Sequence, residues 1–319
     1  MNNVSPQAPI PFIARCDAAQ CELWLTALRL AMPDENIVAF ATLDADARAA
    51  CKLAIVANPD PAEVAQLPQL EWVHSVWAGV EKMVAELGDS GLQIVRLVDP
   101  QLAATMAEAV LAWSLYLHRD MPAYARLQQT GQWQQLDYVR PQNRTVSLLG
   151  LGALGDAAAR QLLNAGFKVC GWSRQLKNIP GVATFAGDEG LQAMLQQTDI
   201  LVCLLPLTAQ TRHLLNAERL SWLSQDATLI NFARGPIIDD EALRAALDQG
   251  RLKHAVLDVF ATEPLPSDAW QWPHPAVTVL PHISAPTDRE TASAIVAGNI
   301  RAYRADGSIP PTVDLSRGY

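Results

Sequence analysis

A single stretch of this chain, TVSLLGLGALG (residues 145–155), constrains the fold more than any other. An apolar run leads directly into three glycines spaced G-x-G-x-x-G, and the Ala-rich sequence that follows is typical of a helix. In a parallel α/β unit the first glycine permits a tight turn, the second lets the backbone approach a pyrophosphate, and the third allows helix and strand to pack closely. The pyrophosphate lies on the amides at the start of the helix. The pattern therefore predicts a dinucleotide-binding turn formed by Gly150, Gly152, Ala153, Leu154 and Gly155.

Strand-like and helix-like segments alternate on both sides of this turn. From residue 145 onward, helical segments separate the apolar runs TVSLLG, FKVCGW, DILVCLLP, ATLINF, HAVLDVF and VTVLP, which predicts a doubly wound parallel sheet. The N-terminal part contains the runs IPFIA, IVAFA, LAIVA, WVHSV and QIVRLV, typical of a small parallel α/β domain. Between the two sets, residues 101–132 form a helical stretch in which Pro122 predicts a break. A final helical pattern, TDRETASAIVAGNIRAYRADG, is expected to return to the first domain.

Composition limits the classes of partner. The 319-residue chain is half apolar and carries a net charge of −9, which disfavours nucleic acid and anionic membranes as main partners. The N-terminal sequence lacks the basic head and apolar run of a signal peptide, and no apolar stretch is long enough to span a bilayer. We expect a cytoplasmic protein without a metal site. The cysteines expected to be reduced thiols are Cys16, Cys21, Cys51, Cys170 and Cys203.

Three further motifs place reactive side chains at the ends of predicted strands. NFARGPIIDDEAL puts Arg234 after one strand, LDVFATEPLP puts Asp258 and Glu263 after the next, and VLPHISAPT puts His282 after a third. Taken singly, each residue also fits an ordinary surface or loop position. Because the carboxyl ends of parallel strands share one edge of a sheet, the motifs together predict a cation, an acid and an imidazole beside the dinucleotide turn.

These groups suit the reduction of a 2-oxo acid. The reaction needs a hydride, which a nicotinamide supplies and the protein does not, and a proton at the carbonyl oxygen. A histidine with a pKa near neutral is a suitable proton donor, and a neighbouring carboxylate favours its imidazolium form. The guanidinium fork of an arginine suits a carboxylate and stabilises charge as an alkoxide develops.

GLGALG, NFARG, LDVFATEP and LPHISA occur in order and at consistent spacing, and with them the chain resembles the D-isomer-specific 2-hydroxyacid dehydrogenases. The motif WAGVEKM and the terminal SRGY add a likeness to the glyoxylate/hydroxypyruvate reductase A type. The resemblance covers nearly the whole chain. It implies an α/β protein with a Rossmann-like dinucleotide domain, residues 101–286, inserted into a smaller flavodoxin-like substrate domain formed by residues 1–100 and 287–319.

The resemblance also implies a role for each motif. It makes His282 the general acid and base, pairs Glu263 with it, and assigns Arg234 to bind the substrate carboxylate and polarise the carbonyl. The residues implied to form the substrate pocket are Trp77 and, through their backbone, Ala78, Gly79 and Val80. The residues implied to contact the cofactor outside the glycine turn are Leu205, Pro206, Thr208, Ala233 and, near the nicotinamide, Asp258.

The tip of the second strand of the dinucleotide unit carries Trp172, Ser173 and Arg174, with Lys177 close behind. NAD-binding proteins usually have Asp or Glu at this position, and the carboxylate accepts hydrogen bonds from the ribose. A 2′-phosphate carries roughly two negative charges, so a carboxylate repels it, whereas a hydroxyl and two cations favour it. The sequence therefore predicts that NADPH is preferred and NADH used more weakly; a turn that is merely basic is the other interpretation.

Two alternatives to this function stay open. One is a non-enzymatic NAD(P)(H)-sensing scaffold, which turnover of a 2-oxo acid would exclude. The other is a larger 2-oxo acid as substrate, because the sequence does not choose among glyoxylate, hydroxypyruvate and larger acids. A phosphorylated substrate is disfavoured, since ANPDP and WAGVEKM supply few cations. We expect a homodimer, and we expect Trp133 to pack within the protein rather than reach an active site or a partner subunit.

Overall fold

The computed structural model describes residues 8–315, and the chain folds into two compact units. Unit 1 combines the residues up to Gln101 with those from Thr287 onward, and unit 2 comprises Leu102–Pro286. Each unit is built on a parallel sheet with helices between its strands, so the predicted α/β fold is confirmed. No helix among the described residues is long and apolar enough to cross a membrane. The SRGY motif lies outside the described residues.

Strands and helices alternate along most of the chain. The strands are β1 (Ile10–Ala14), β2 (Ile37–Ala39), β3 (Leu53–Ala57), β4 (Trp72–Ser75), β5 (Gln93–Val95), β6 (Thr145–Leu149), β7 (Lys168–Trp172), β8 (Val182–Phe185), β9 (Ile200–Cys203), β10 (Ala227–Asn231), β11 (Leu252–Leu257) and β12 (Val277–Val279). The α-helices are α1 (Ala18–Ala31), α2 (Ala45–Ala50), α3 (Pro61–Val64), α4 (Glu81–Leu87), α5 (Pro100–His118), α6 (Met121–Gln129), α7 (Ala153–Asn164), α8 (Gly187–Leu195), α9 (Ala217–Ser221), α10 (Asp240–Asp248) and α11 (Arg289–Asp306).

Unit 1 contains a five-stranded sheet in the order β2-β1-β3-β4-β5. The central strand β3 is buried along its whole length, which fits its continuous apolar sequence LAIVA and a sheet covered on both faces. Helix α11 places Ala292, Val296 and Ile300 in the same core as Trp24 of α1. These three residues recur every four positions, so they form one apolar stripe along the helix. The last helix is therefore an integral part of the core of unit 1.

Unit 2 contains a seven-stranded sheet in the order β12-β11-β10-β9-β6-β7-β8. The strand order reverses at β6, whose carboxyl end carries the glycine turn, and ligands of doubly wound sheets bind at such a point. Strands β10, β11 and β12 lie on one side of β6 and end in the Arg234, Glu263 and His282 motifs. Strand β8 was not predicted, because it is a short and only partly buried edge strand.

The long helical stretch breaks at residues 119–120, shortly before its proline. Helix α5 ends at His118 and α6 begins at Met121, with Pro122 in the first turn of α6. Proline is tolerated at this position, because the first amides of a helix have no intrahelical acceptor. The predicted break is confirmed, but Pro122 starts the second helix instead of interrupting the first.

The expectation that every cysteine is reduced is wrong. Cys16 and Cys21 form a disulfide with a Cα–Cα separation of 6.0 Å, whereas Cys51, Cys170 and Cys203 are free and buried. The two partners flank the first turn of α1, and the helical turn brings them within the distance that a disulfide needs.

The expectation for Trp133 is also wrong. Its side chain is 99% exposed, in a segment between α6 and β6 that lacks helix or strand over residues 132–140. A large apolar side chain that finds no cover among residues 8–315 is not packed within the protein. No local pattern indicated this exposure, since a tryptophan after a helix usually helps to cover the core.

Candidate active site

The glycine turn has the geometry predicted for a dinucleotide loop. Gly150 adopts φ +106°, a conformation that disfavours residues with a side chain. A Cβ atom on Gly155 would lie 1.9 Å from the carbonyl oxygen of Gly150, so only glycine lets α7 pack this closely against the turn. A Cβ atom on Gly152 would meet nothing within 4 Å, which leaves open space beside the first amides of α7, those of Ala153 and Leu154. A pyrophosphate fits such a helix start.

An open groove of about 400 Å³ runs beside this turn. Lys177 lies along it, and its Nζ donates a hydrogen bond of 2.7 Å to the carbonyl oxygen of Leu151. A cation from the strand-tip segment is therefore held next to the glycine turn. The groove is lined by Leu151, Gly152, Ala153, Asp156, Lys177, Asn178 and Ile179.

The tip of β7 is shaped by contacts to nearby carbonyl groups. Trp172 Nε1 donates to the carbonyl oxygen of Gly187 at 2.8 Å, and the buried Ser173 donates through Oγ to that of Gln175 at 2.7 Å. Arg174 is exposed. Because the Ser173 hydroxyl has one proton and Gln175 already accepts it, Arg174 is the better placed donor for a ligand outside the strand.

Arg234 follows β10 in a turn that Asn231 stabilises. The buried Asn231 accepts from the Ala233 N–H through Oδ1 at 3.2 Å and donates through Nδ2 to the Arg234 carbonyl oxygen at 3.1 Å. Arg234 is partly buried, and its Nη1 donates to the Ala233 carbonyl oxygen at 2.6 Å. Asn231 was not among the site residues predicted from the sequence. An asparagine three residues before the arginine was a usable signal, since Asn side chains commonly bond the backbone of a following turn.

Gly235 brings the Arg234 turn against the loop that carries Glu263. A Cβ atom at this position would lie 2.1 Å from the carbonyl carbon of Phe260 and 2.4 Å from the nitrogen of Ala261. Backbone therefore meets backbone at this point, which glycine alone permits. Gly235, too, was not singled out from the sequence, because the contact joins two loops that are distant along the chain.

Glu263 and His282 form a direct hydrogen-bonded pair. His282 Nδ1 lies 2.8 Å from Glu263 Oε2, and the Phe260 N–H donates to the other carboxylate oxygen, Oε1, at 2.8 Å. Both carboxylate oxygens are therefore engaged. Because Nδ1 faces a carboxylate, Nε2 is the ring nitrogen left to exchange a proton with another molecule.

The two members of the pair shift each other's titration. The hydrogen bond from Glu263 raises the pKa of His282 against the opposing effects of burial and of the Arg234 charge. Burial alone would raise the pKa of Glu263, but the bonds from His282 and from the Phe260 amide outweigh it and lower that pKa. The pair therefore favours an imidazolium beside a carboxylate.

Asp258 binds the backbone of the His282 turn. Its carboxylate, which is buried, accepts from the Ile283 N–H at 2.7 Å and from the Ser284 N–H at 2.9 Å. The His282 N–H in turn donates to the Asp258 carbonyl oxygen at 3.0 Å, and His282 has φ +56°. Asp258 thus stabilises the left-handed turn that presents the imidazole. A contact between Asp258 and a nicotinamide stays a prediction.

The loop after β9, which contains Leu205, Pro206 and Thr208, is closed by Thr211. Thr211 Oγ1 donates to the Pro206 carbonyl oxygen at 2.7 Å and accepts from the Thr208 N–H at 2.8 Å. Ala233 is buried between Asn231 and Arg234. These positions all lie in unit 2, at the same end of the sheet as the glycine turn. The predicted cofactor residues are therefore gathered at one edge.

The predicted substrate-pocket residues lie in unit 1, at the end of β4. The Trp77 N–H donates to Ser75 Oγ at 3.0 Å, and the Trp77 ring packs edge-on against Trp24 with ring centroids 5.4 Å apart. Ala78 and Gly79 form the turn that leads through Val80 into α4. The edge-on packing fixes one side of Trp77, and the role of this turn in substrate binding stays a prediction.

Known proteins that are similar to this chain carry the names of one enzyme family. A model of the D-isomer specific 2-hydroxyacid dehydrogenase NAD binding domain matches residues 111–284. The glyoxylate/hydroxypyruvate reductase A of Yersinia enterocolitica is 37% identical over 94% of this chain and 97% of its own length. That of Serratia proteamaculans is 37% identical over 93% of this chain and 96% of its own length.

Two solved structures resemble the whole chain. A D-isomer specific 2-hydroxyacid dehydrogenase from Xanthobacter autotrophicus Py2, in complex with NADPH and MES, has a TM-score of 0.90 and 37% identity, and the match covers 98% of this chain and 100% of that one. An NADPH-dependent glyoxylate/hydroxypyruvate reductase from Sinorhizobium meliloti, with NADP and sulfate, has a TM-score of 0.90, 33% identity and the same coverage. With the glycine turn, the Arg234 turn and the Glu263–His282 pair in place, this chain belongs to the D-isomer-specific 2-hydroxyacid dehydrogenase family.

Proposed function

We propose that this protein is an NADPH-preferring reductase that converts small 2-oxo acids, such as glyoxylate and hydroxypyruvate, to 2-hydroxy acids. The observation that carries the proposal is the Glu263–His282 pair, joined at 2.8 Å on the sheet that also bears the glycine turn. The relatives named above, which are reductases of glyoxylate and hydroxypyruvate, support the substrate class.

His282 is the proton donor in this proposal. Its Nδ1 is bound to Glu263, so Nε2 gives the proton to the carbonyl oxygen of the substrate. The raised pKa of His282, caused first by the Glu263 hydrogen bond, keeps the donor protonated to higher pH. A bound nicotinamide supplies the hydride for the carbonyl carbon.

Arg234 binds the substrate carboxylate and polarises its carbonyl group. The Asn231 bonds hold the Arg234 backbone in one conformation, which is the preorganisation that charge stabilisation needs. The backbone amides of Ala78, Gly79 and Val80 are proposed as substrate contacts of unit 1. We propose that unit 1 is accordingly the substrate domain and unit 2 the dinucleotide domain.

The residues of unit 2 fit NADPH. The open space at Gly152 and the close packing at Gly155 are what a bound pyrophosphate requires. At the tip of β7 no carboxylate stands where NAD-binding proteins carry one, and the exposed Arg174 is free to turn toward a 2′-phosphate. Lys177 adds a second cation beside the turn. The other proposed cofactor contacts are Trp172, Ser173, Leu205, Pro206, Thr208, Ala233 and Asp258.

A homodimer and a cytoplasmic location also stay proposals. The exposed Trp133 and Tyr138, which are 99% and 65% exposed, support an interface for a second copy of the chain, since large exposed apolar groups mark interaction sites. Light scattering on wild type and Trp133→Ala tests this, with a dimer expected for wild type and a weakened dimer for the variant.

Turnover with a panel of 2-oxo acids and both cofactors tests the function itself. We expect the highest kcat/KM for glyoxylate or hydroxypyruvate with NADPH, and a lower value with NADH. A preference for a larger 2-oxo acid would correct the substrate, and a preference for NADH would correct the cofactor. Tight NADPH binding without turnover of any 2-oxo acid would support the sensing scaffold and overturn the reductase.

A further inference from the structure

The segment that joins Glu263 to His282 is anchored on one face of α10. Residues 264–276 contain no helix or strand, and side-chain contacts help to hold them in place. Asp240, Arg244 and Asp248 follow one another at intervals of four residues and therefore lie on one face of the helix. Each of the three contacts this segment.

Asp240 makes the most specific of these contacts. Its Oδ2 accepts from Trp270 Nε1 at 2.7 Å, and its Oδ1 accepts from Gln271 Nε2 at 2.9 Å, so both oxygens bind consecutive residues of the segment. The Arg244 guanidinium lies 5.8 Å from the Trp270 ring centroid. Asp248 Oδ1 lies 3.2 Å from His274 Nε2.

The residues on either side of the anchored pair are bonded back toward Glu263. Trp272 Nε1 donates to the carbonyl oxygen of Pro266 at 2.8 Å, and the Ala269 N–H donates to the same oxygen at 3.1 Å. Gln271 is buried, and Trp270 packs against the core of unit 2. Asp240 is therefore linked through residues 269–272 to Pro266, three residues after Glu263.

Glu263 needs such an anchor more than the other charged groups that face His282, which are Arg234 and Asp258. Arg234 and Asp258 lie close to the ends of β10 and β11, and the sheet holds them. Glu263 lies further out on the loop. Its bond from the Phe260 N–H spans only three residues, so its position depends on how the loop is held on both sides. Gly235 packs against the loop at Phe260, before Glu263, and the contacts with α10 hold the residues after Glu263.

We propose that Asp240 is a positioning residue, which binds Trp270 and Gln271 and thereby holds Glu263 at hydrogen-bonding distance from His282. The inference rests on the proposed function in that it assumes the Glu263–His282 pair to be the acid–base machinery. Asp240 itself does not touch the reacting atoms. It acts from the first turn of α10, where the helix dipole favours a negative charge.

The test is an NMR titration of the His282 imidazole in the full-length protein, together with kcat and KM. The variants are Asp240→Asn, which keeps the shape but turns one acceptor into a donor, and Trp270→Phe, which removes the indole N–H together with part of the ring. Glu263→Gln serves as the reference for a broken pair. Glu241→Gln is the matched control, because Glu241 is an exposed acid in the same helix turn, on a different face from the three residues that contact the segment.

In both test variants we expect the pKa of His282 to fall toward its value in Glu263→Gln, and kcat to fall about tenfold, since small misplacements of reacting groups are costly. The KM for NADPH should stay at its wild-type value in both test variants. In the control Glu241→Gln, the pKa of His282 should also match wild type. Trp270→Phe keeps the test decisive if Asp240→Asn does not fold. If the folded test variants keep the wild-type pKa of His282 while Glu263→Gln shifts it, the proposed role of Asp240 is overturned. If the pKa of His282 is unshifted in Glu263→Gln, the pair and the proposed proton donor are overturned instead. The NMR titration detects this result whether or not the protein shows turnover.

Discussion

Replacing Gly235 by alanine perturbs the acid–base pair from a position outside it. The added Cβ atom would start 2.1 Å from the Phe260 carbonyl carbon, whereas ordinary contacts begin at 3.4 Å, so the two loops must separate by about 1.3 Å. The obstacle is backbone and cannot rotate away. The Phe260 N–H that binds Glu263 Oε1 belongs to the displaced residue, so Glu263 moves with it. A misplacement of about 1 Å can cost ~10²-fold in rate.

We therefore expect Gly235→Ala to lower kcat by about 10²-fold while leaving NADPH affinity close to wild type, because the glycine turn is untouched. Steady-state kinetics measure the first effect and quenching of tryptophan fluorescence by NADPH the second. Gly298→Ala is the matched control: Gly298 lies within α11, and a Cβ atom there would meet nothing within 4 Å. Thermal melting of both variants separates local displacement from unfolding. A folded Gly235→Ala enzyme with kcat within twofold of wild type would refute the reasoning.

Four further predictions concern the proposed site directly. His282→Ala should lower kcat by ~10²–10⁴ with NADPH binding retained, and near-normal turnover would remove His282 from the mechanism. Glu263 raises the pKa of His282, so reductive activity should fade as pH rises through that raised pKa. Glu263→Gln should move this fall in the pH profile of kcat/KM to lower pH, and an unmoved profile would count against the pair. Arg234→Lys keeps the charge but loses the guanidinium fork, so its kcat/KM should be well below that of wild type. Wild-type activity in this variant would mean that Arg234 contributes only its charge and no directed hydrogen bonds. Arg174→Ala removes up to two charged hydrogen bonds of about 1.5–3 kcal/mol each, and solvent reduces this contribution at an exposed position. The KM for NADPH should therefore rise about ten- to a hundredfold, whereas the KM for NADH should hardly change. An equal rise for both cofactors would refute the 2′-phosphate contact.

Features that follow from periodicity and local motifs were predictable from the sequence. The glycine turn was predictable, because its spacing is typical of a close backbone approach that residues with a side chain would prevent. As expected, Gly155 packs directly against the carbonyl group of Gly150. The apolar runs of the inner strands were also clear, since a parallel strand covered on both faces has a continuous apolar sequence. Strand β8 was missed because an edge strand lacks this constraint.

Contacts between segments distant along the chain were not predictable. Asp240 was not singled out from the sequence, and only the fold shows that Trp270 and Gln271 reach it. Asp258 was assigned to the cofactor, but the bonds to Ile283 and Ser284 depend on how two loops meet. The disulfide of Cys16 was likewise hidden, because a composition argument about cysteines does not include the geometry of one helix start.

The return of the chain to unit 1 has a consequence for how the protein is made. Unit 2 is continuous in sequence and can complete its core without α11. Unit 1 cannot do so, because Ala292, Val296 and Ile300 fill part of its core. Until α11 has been synthesised, the apolar residues that it covers, Trp24 among them, lack part of their native packing. The unit whose synthesis begins first is therefore the one whose core is completed last.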